Sequence, residues 1–331
     1  MPLPSSAAAP LDDPVKGSEL FDARLIGIRY ATSDVHLFEF ALLNEHQDFP
    51  AYEAGAHVNL HLPNGMVRQY SLINPAASPK TLMLGIKRDD SGLGGSKYIF
   101  NTLKVSDIVK IGAPRNHFAL DKAAKHTVLV AGGIGITPVF AMKDYLEAHG
   151  MSWELHYACR SQPHMPFLDV LSGDSRINLH FDDEAGQPLN IAQVTEKNWP
   201  DDTHFYCCGP KPMLDAFTAA TAQFPSHQVH VEFFAAPDTA PLGEGFTLKL
   251  ARSGRTLNVH NGQNILDALI ENGIDVRYSC RGGVCGACET RVISGTPEHR
   301  DSILTEEERS ANETVMICCA GSQTDLLVLD L

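Results

Sequence analysis

The chain has 331 residues, and its 40 acidic residues outweigh 26 basic ones, which gives a formal net charge of −14. This length predicts two or three globular domains, and the acidic balance argues against a nucleic-acid partner or an anionic membrane surface. No apolar run approaches the roughly 18–20 residues that cross a bilayer, and the N-terminus has no leader pattern. We therefore expect a cytoplasmic protein.

The first 122 residues divide into an arm and a β-rich segment. Residues 1–17 are rich in Pro, Ala, Ser and Asp, and we predict that they form a disordered arm. Residues 18–122 contain short β-like runs, such as 23–29 and 35–40, that are separated by turn signals. Strands at this spacing predict a small antiparallel barrel. His57 and His61 alternate along one run and are expected at the surface.

Two motifs of the β-rich segment could hold a phosphorylated ring cofactor. In R-Q-Y-S (68–71), the guanidinium can bind a phosphate, the aromatic ring can cover a flavin, and the hydroxyl can hydrogen-bond a ring nitrogen. The glycine-rich stretch 85–96 leads into a predicted helix start, where backbone N–H groups bind phosphate. Taken alone, the first motif is more often an ordinary strand.

Residues 123–235 alternate between strand and helix patterns. The run 126–131 is typical of a buried parallel strand, and it leads into G-G-I-G-I-T-P (132–138), with a helix expected from Pro138. Further strands are predicted at 154–159, 204–208 and 228–234, which indicates an α/β nucleotide-binding domain with a parallel sheet. The glycine loop is either a nucleotide site or only a tight turn. C-G-P (208–210) adds a loop at the same sheet edge, where Cys208 is either a buried small residue or part of a nicotinamide pocket.

The last part of the chain carries a cysteine motif. Residues 236–244 form a predicted linker, and in the domain that follows, 245–331, Cys280, Cys285 and Cys288 have the C-x₄-C-x₂-C spacing of a plant-type [2Fe–2S] loop. A zinc site or buried thiols would fit this spacing less well. The interval of 29 residues before Cys318 resembles plant-type ferredoxins, so Cys318 is the expected fourth ligand. Cys319 is expected to point away from the cluster if this segment is a strand.

These motifs, in this order, resemble those of the phthalate dioxygenase reductase family of Rieske oxygenase reductases, from about residue 19 to the end. The resemblance implies a multidomain fold: an antiparallel β-barrel flavin domain, an α/β parallel-sheet NAD-binding domain and an α+β ferredoxin-like [2Fe–2S] domain. It implies an NADH-dependent oxidoreductase that passes hydride to FMN and single electrons through the cluster to a Rieske-type oxygenase. We expect FMN rather than FAD, NADH rather than NADPH, and a monomer.

The resemblance also assigns cofactor contacts by position in this sequence. Flavin contacts are implied for Arg68, Gln69, Tyr70, Ser71, Ile86, Lys87, Gly94, Gly95, Ser96, Thr137 and Phe234. Nucleotide contacts are implied for Gly133, Ile134, Gly135, Thr137, Pro138, Arg160, Cys208, Gly209 and Pro210. Ser71, Cys208 and Phe234 are expected at the reacting centre, and no catalytic acid or base is expected.

The sequence departs from the family pattern at two places. Ser161 follows Arg160 where an aspartate often accepts the ribose hydroxyls, and Ala320-Gly321 stands where Ser-Arg is expected. Other functions stay open: the same reductase serving an O-demethylase or another monooxygenase, an iron or flavin reductase, or a ferredoxin-like carrier whose reductase half binds no cofactor. The cluster argues against reduction of a diffusing small acceptor, because that reaction needs no docked one-electron relay.

Overall fold

The computed structural model of the chain describes residues 19–74, 79–90, 92, 94–234, 245–278, 282–283, 286–301 and 303–331. The predicted arm (1–17) and the predicted linker (236–244) lie outside these residues. The described strands form a six-stranded sheet, two five-stranded sheets and a two-stranded ribbon. The expected fold class, an antiparallel β domain followed by a parallel α/β domain and a smaller α+β domain, is confirmed. Among the described helices, none is long and apolar enough to span a membrane.

The first sheet is antiparallel, and its two end strands meet. Its strands are β1 (Leu20–Tyr30), β2 (Val35–Leu42), β3 (His57–His61), β4 (Val67–Ser71), β5 (Thr81–Lys87) and β6 (Ile108–Gly112), with α1 (Gly95–Thr102) after β5. The order is β4-β3-β6-β1-β2-β5, and a bridge from Leu72 to Leu84 joins β4 to β5. This bridge closes the sheet into a barrel. Alternate residues of β1 face the barrel core, as a period of two requires.

The second sheet is parallel and has helices between its strands. Its elements are β7 (His126–Gly132), α2 (Ile136–Ala148), β8 (Trp153–Cys159), α3 (Leu168–Leu171), β9 (Ile177–Phe181), α4 (Asp182–Ala185), α5 (Ile191–Thr195), β10 (Thr203–Cys208), α6 (Lys211–Ala220) and β11 (Val229–Glu232). The strand order is β11-β10-β7-β8-β9. Central strand β7 is buried on both faces, which explains its unbroken apolar run. Ala54, Ile73 and Phe118 from the first 122 residues pack in one of its two cores, so the barrel and this sheet share apolar packing.

One predicted helix boundary is wrong by two residues. A 3₁₀ turn at Gly133–Gly135 follows β7, and α2 begins at Ile136 instead of Pro138. Pro138 is therefore the third helical residue. The first turn tolerates proline because its N–H groups have no acceptor within the helix.

The third sheet contains the C-terminal strands and packs against α7. Its elements are β12 (Phe246–Leu250), β13 (Thr256–Val259), α7 (Ile265–Glu271), β14 (Glu289–Ser294), α8 (Glu306–Ala311), β16 (Thr314–Met316) and β18 (Leu326–Leu329), with the ribbon β15 (Pro297–Glu298) and β17 (Gly321–Ser322) beside it. The order is β13-β12-β18-β14-β16, and the predicted hairpin of β12 with β13 is confirmed. Thr305 begins α8 with a reciprocal capping box to Glu308. The core of this part includes the buried side chains of Cys288 and Cys318.

Candidate functional site

A cavity of about 470 Å³ lies between the barrel and the parallel sheet. Its wall comes from β4, from the segment between β5 and α1, from the loop after β7 and from the end of β11. Many of the residues expected at the flavin and the nucleotide line this one cavity: Arg68, Gln69, Tyr70, Ser71, Lys87, Gly94, Gly95, Ser96, Ile134, Thr137 and Phe234. Segments about 160 residues apart in sequence therefore meet at one site.

One end of the cavity is suited to a phosphate. Gly94 has a φ of +80° and precedes α1, whose first turn carries no acidic side chain. The first N–H groups of a helix have no internal acceptor and attract anions. Arg68 lies directly against this turn, because a Cβ atom on Gly95 would be 2.2 Å from the Arg68 Nε. A guanidinium and a helix N-terminus thus face the same end of the cavity.

The cavity also contains buried polar atoms. Within the described part of the chain, Ser71 Oγ, His57 Nδ1 and Glu232 Oε2 are buried and have no hydrogen-bond partner. His57 and Ser71 are cross-strand neighbours on β3 and β4. Leaving such atoms unpaired costs free energy, which a ligand with hydrogen-bonding edges would recover. These atoms, together with the Tyr70 ring, fit a flavin.

His57 and Glu232 were missed as site residues. The expectation that His57 lies at the surface is wrong: the side chain is 4% exposed, and burial beside His117 and Arg115 lowers its pKa to about 3. Burial raises the pKa of Glu232 to about 8, so this carboxyl group is largely protonated at neutral pH. No sequence pattern singled out His57, because its pairing with Ser71 of the R-Q-Y-S strand is seen only in the structure.

The two glycine loops of the parallel sheet pack against each other at its carboxyl edge. A Cβ atom on Gly135 would lie 2.2 Å from the carbonyl oxygen of Cys208, so the close approach of the loops requires glycine there. Gly133 has a φ of +53°, and its carbonyl accepts a hydrogen bond of 3.0 Å from Tyr157. Ligands of open α/β sheets bind at this edge.

Some expected contacts do not line the cavity. Cys208 is fully buried in the apolar core, and burial raises its pKa well above the usual value, so its thiol is neutral. Ile86 is likewise buried, in the barrel core. The other nucleotide residues that do not line it are Gly133, Gly135, Pro138, Arg160, Gly209 and Pro210. Arg160 is exposed beyond β8, where its carbonyl accepts a hydrogen bond of 3.0 Å from the Asp183 N–H.

The cysteine site is described in part. Cys280 and Cys285 lie outside the described residues, whereas Cys288 and Cys318 are buried. The backbone N–H of Gly283 donates a hydrogen bond of 3.1 Å to the Cys318 sulfur. Such bonds stabilise cluster thiolates, so this arrangement fits an iron–sulfur centre.

The premise about Cys319 is wrong. Its segment is a turn after β16 and not a strand. A Cβ atom on Gly283 would lie 2.6 Å from the Cys319 sulfur, so both adjacent thiols border the same loop. Strand alternation therefore does not distinguish their roles.

The barrel contacts the cysteine domain next to the large cavity. A Cβ atom on Gly286, within the cysteine loop, would be 3.6 Å from Nη1 of Arg115. Burial and Arg115 lower the pKa of His117, two residues further on, while Glu308 of α8 is close enough to oppose that shift. The cysteine domain thus lies against the segment after β6, where Arg115 forms a β-bridge with His57 of the cavity wall.

Comparisons with known proteins agree with these features. The model of the 2Fe-2S iron-sulfur cluster binding domain matches residues 248–322. The phenoxybenzoate dioxygenase subunit beta of Ectopseudomonas oleovorans is 44% identical over 309 residues, which cover 93% of this chain and 96% of the relative. Phthalate dioxygenase reductase of Burkholderia cepacia is 38% identical over 288 residues, with 85% and 88% covered.

A solved structure is similar over nearly the whole length. It is described as phthalate dioxygenase reductase, a modular structure for electron transfer from pyridine nucleotides to [2Fe–2S]. The sequence identity is 34%, the TM-score is 0.70, and the match covers 94% of this chain and 98% of the solved chain. The likeness therefore extends to all three parts of the fold.

Proposed function

Because the chain belongs to the phthalate dioxygenase reductase family, we propose that it is the reductase component of a Rieske-type oxygenase system that acts on an aromatic substrate. It takes hydride from NADH at the large cavity and delivers single electrons to the oxygenase through a [2Fe–2S] cluster. The observation that carries this proposal is that an anion-binding turn, unpaired polar atoms and Ile134 and Thr137 of the glycine loop and α2 line one cavity beside the cysteine domain.

FMN is the cofactor that the cavity suits, and when bound it would convert a two-electron hydride into single electrons. Arg68 and the N-terminus of α1 would hold its phosphate. Tyr70 would lie along the ring, and the Ser71 hydroxyl would hydrogen-bond a ring edge. Phe234, which is 41% exposed at the cavity, would cover the ring until the nucleotide enters.

NADH would bind along the carboxyl edge of the parallel sheet. The loops at 133–138 and 208–210 would hold the nucleotide, and their close mutual packing at Gly135 and Cys208 supports this proposal. Buried Cys208 would support the loop from behind. We propose the domain limits 18–122, 123–235 and 245–331, with Cys280, Cys285, Cys288 and Cys318 as the cluster ligands in the last domain.

We further propose a cytoplasmic monomer. Cys159, Cys207 and Cys208 are buried in the cores and form no disulfide, as in proteins of a reducing compartment.

The test compares two electron acceptors in the full chain loaded with FMN and iron–sulfur cluster. The wild type should oxidise NADH with either ferricyanide or cytochrome c, because the flavin can reduce the first and the cluster the second. Cys288→Ser should lose cytochrome c reduction and keep ferricyanide reduction. Equal rates with cytochrome c in both proteins would show that electrons do not leave through the cluster.

A further inference from the structure

A second, smaller cavity lies behind the first. Its volume is about 40 Å³, and the residues that line it are His57, Gln69, His117, Val231, Glu232, Phe233 and Ile303. His57, Gln69 and Glu232 also line the large cavity, and Ile303 belongs to the C-terminal part. The small cavity therefore extends from the wall of the flavin site to the contact with the cysteine domain.

The polar groups at this cavity form a series that ends at the surface. Glu232 Oε2 and His57 Nδ1 have no hydrogen-bond partner within the described residues. The His57 ring meets the His117 ring edge to face, with centroids 5.3 Å apart, and His117 is exposed. A volume of about 40 Å³ holds one water molecule, which needs two to four polar partners.

Burial sets the protonation of each group, and charged neighbours modify it at the two histidines. Glu232 has the neutral thiol of Cys208 opposite it on β10, and burial raises its pKa to about 8. Burial, together with His117 and Arg115, lowers the pKa of His57 to about 3, so its imidazole is neutral at neutral pH. The pKa of His117 is lowered by burial and by Arg115, while Glu308 opposes that shift. Glu232 thus carries a proton at neutral pH and lines the same small cavity as His57 and His117.

The proposed function requires a proton to leave this site. Oxidation of one NADH by two one-electron acceptors gives NAD⁺, two reduced acceptors and one proton, because the hydride supplies two electrons and one H⁺. In the proposed function the flavin and the nucleotide fill the large cavity during turnover. The small cavity lies behind the wall that His57, Gln69 and Glu232 share, and it offers the proton an exit that does not pass through the large cavity.

Resting on that function, we propose that Glu232, His57 and His117 form a proton path from the flavin cavity to the solvent beside the cysteine domain. The protonated carboxyl group of Glu232 passes its own proton into the small cavity and takes up the proton of the reaction in its place. The His57 imidazole accepts a proton on one ring nitrogen and gives up the one on the other, and exposed His117 releases a proton next to Glu308. Proton release is thereby placed where electrons pass to the cluster domain.

The experiment follows proton release in the full chain loaded with FMN and cluster. NADH and cytochrome c are mixed in weak buffer with a pH indicator, and the indicator trace is compared with cytochrome c reduction. In Glu232→Gln and in His117→Asn, proton release should slow by about tenfold or more, a modest part of what proton-transfer groups contribute. Added imidazole should restore the rate in His117→Asn, which loss of a structural contact would not allow.

A control and a cofactor-free measurement complete the test. His46 is exposed on the loop after β2 and lines neither cavity, so His46→Asn should behave as the wild type. In flavin-free protein, an infrared carboxyl band should titrate near pH 8 and be absent in Glu232→Gln. Unchanged proton release in both path variants would overturn the path alone. Failure of the wild type to reduce cytochrome c with NADH would overturn the proposed function as well.

Discussion

Arg68→Ala tests how the cavity holds the cofactor phosphate. The guanidinium lies against the first turn of α1. Its Nη1 group donates a 2.9 Å hydrogen bond to the Val67 carbonyl, which helps to hold the guanidinium in position. Each charge-assisted hydrogen bond contributes about 1.5–3 kcal/mol. The helix N-terminus and Lys87 remain in the variant, so we count the loss of one such bond. The dissociation constant for FMN should rise roughly 10- to 100-fold.

Two further variants distinguish the effect of the charge of Arg68 from the effect of its position. Arg68→Lys keeps the positive charge and loses the planar fork, so its affinity should fall between those of the wild type and Arg68→Ala. Gly95→Ala leaves the guanidinium intact but introduces a Cβ atom 2.2 Å from its Nε, which must displace the side chain. FMN affinity should therefore fall in Gly95→Ala without any change of charge.

The assay is a fluorescence titration of flavin-free protein with FMN. Arg24→Ala is the matched control, because Arg24 is exposed on β1 and does not line the cavity. An Arg68→Ala protein that binds FMN as tightly as the control would refute the phosphate assignment. If Arg68→Ala loses affinity for FMN and Gly95→Ala does not, the first turn of α1 must accommodate the added Cβ atom without displacing the Arg68 guanidinium.

Three other predictions concern the cluster, the nucleotide loops and the buried carboxyl. Cys318→Ser should abolish the cluster and Cys319→Ser should keep it, as iron and sulfide counts would show, since the Gly283 N–H bonds to the Cys318 sulfur. Gly135→Ala should raise the KM for NADH, because its Cβ would lie 2.2 Å from a backbone carbonyl of the facing loop, and an unchanged KM would contradict that packing. The carboxyl of Glu232 keeps its proton in the folded state between the ordinary pKa of 4.5 and about 8, so flavin-free protein should lose stability as pH rises through that window. Glu232→Gln should remove about 1–2 kcal/mol of this loss, after discounting for solvent at the cavity, and melting curves at both ends of the window would measure it.

The strands and the order of the parts could be predicted because their signals are local. The alternation of β1 and the unbroken apolar run of β7 follow directly from burial on one face or on two. The helix boundary at Ile136 could not be placed as well, because the preceding 3₁₀ turn has no periodic signal. Glycine positions were informative where a loop approaches another backbone, as at Gly135.

The turn that carries Cys318 and Cys319 shows a different limit. The apolar residues before it continue the β16 pattern, so sequence alone extends the strand by several residues. In the structure the N–H groups of Cys319 and Ala320 both donate to the Met316 carbonyl, at 3.2 Å each, which ends the strand before the thiols. The local pattern could not distinguish a strand from a turn, because most residues of β16 and of the turn after it are buried.

Glu232 marks the part of the site that sequence patterns hide. In V-H-V-E, at 229–232, it occupies a polar position that would face solvent on an ordinary edge strand, and β11 is the edge of its sheet. The barrel covers that edge, and only the fold brings His57 from about 175 positions away to the same cavity wall. A buried carboxyl without a partner among the described residues carries a desolvation cost. A group retained at such a cost inside a cavity is more simply explained by a ligand or a proton than by the stability of the fold.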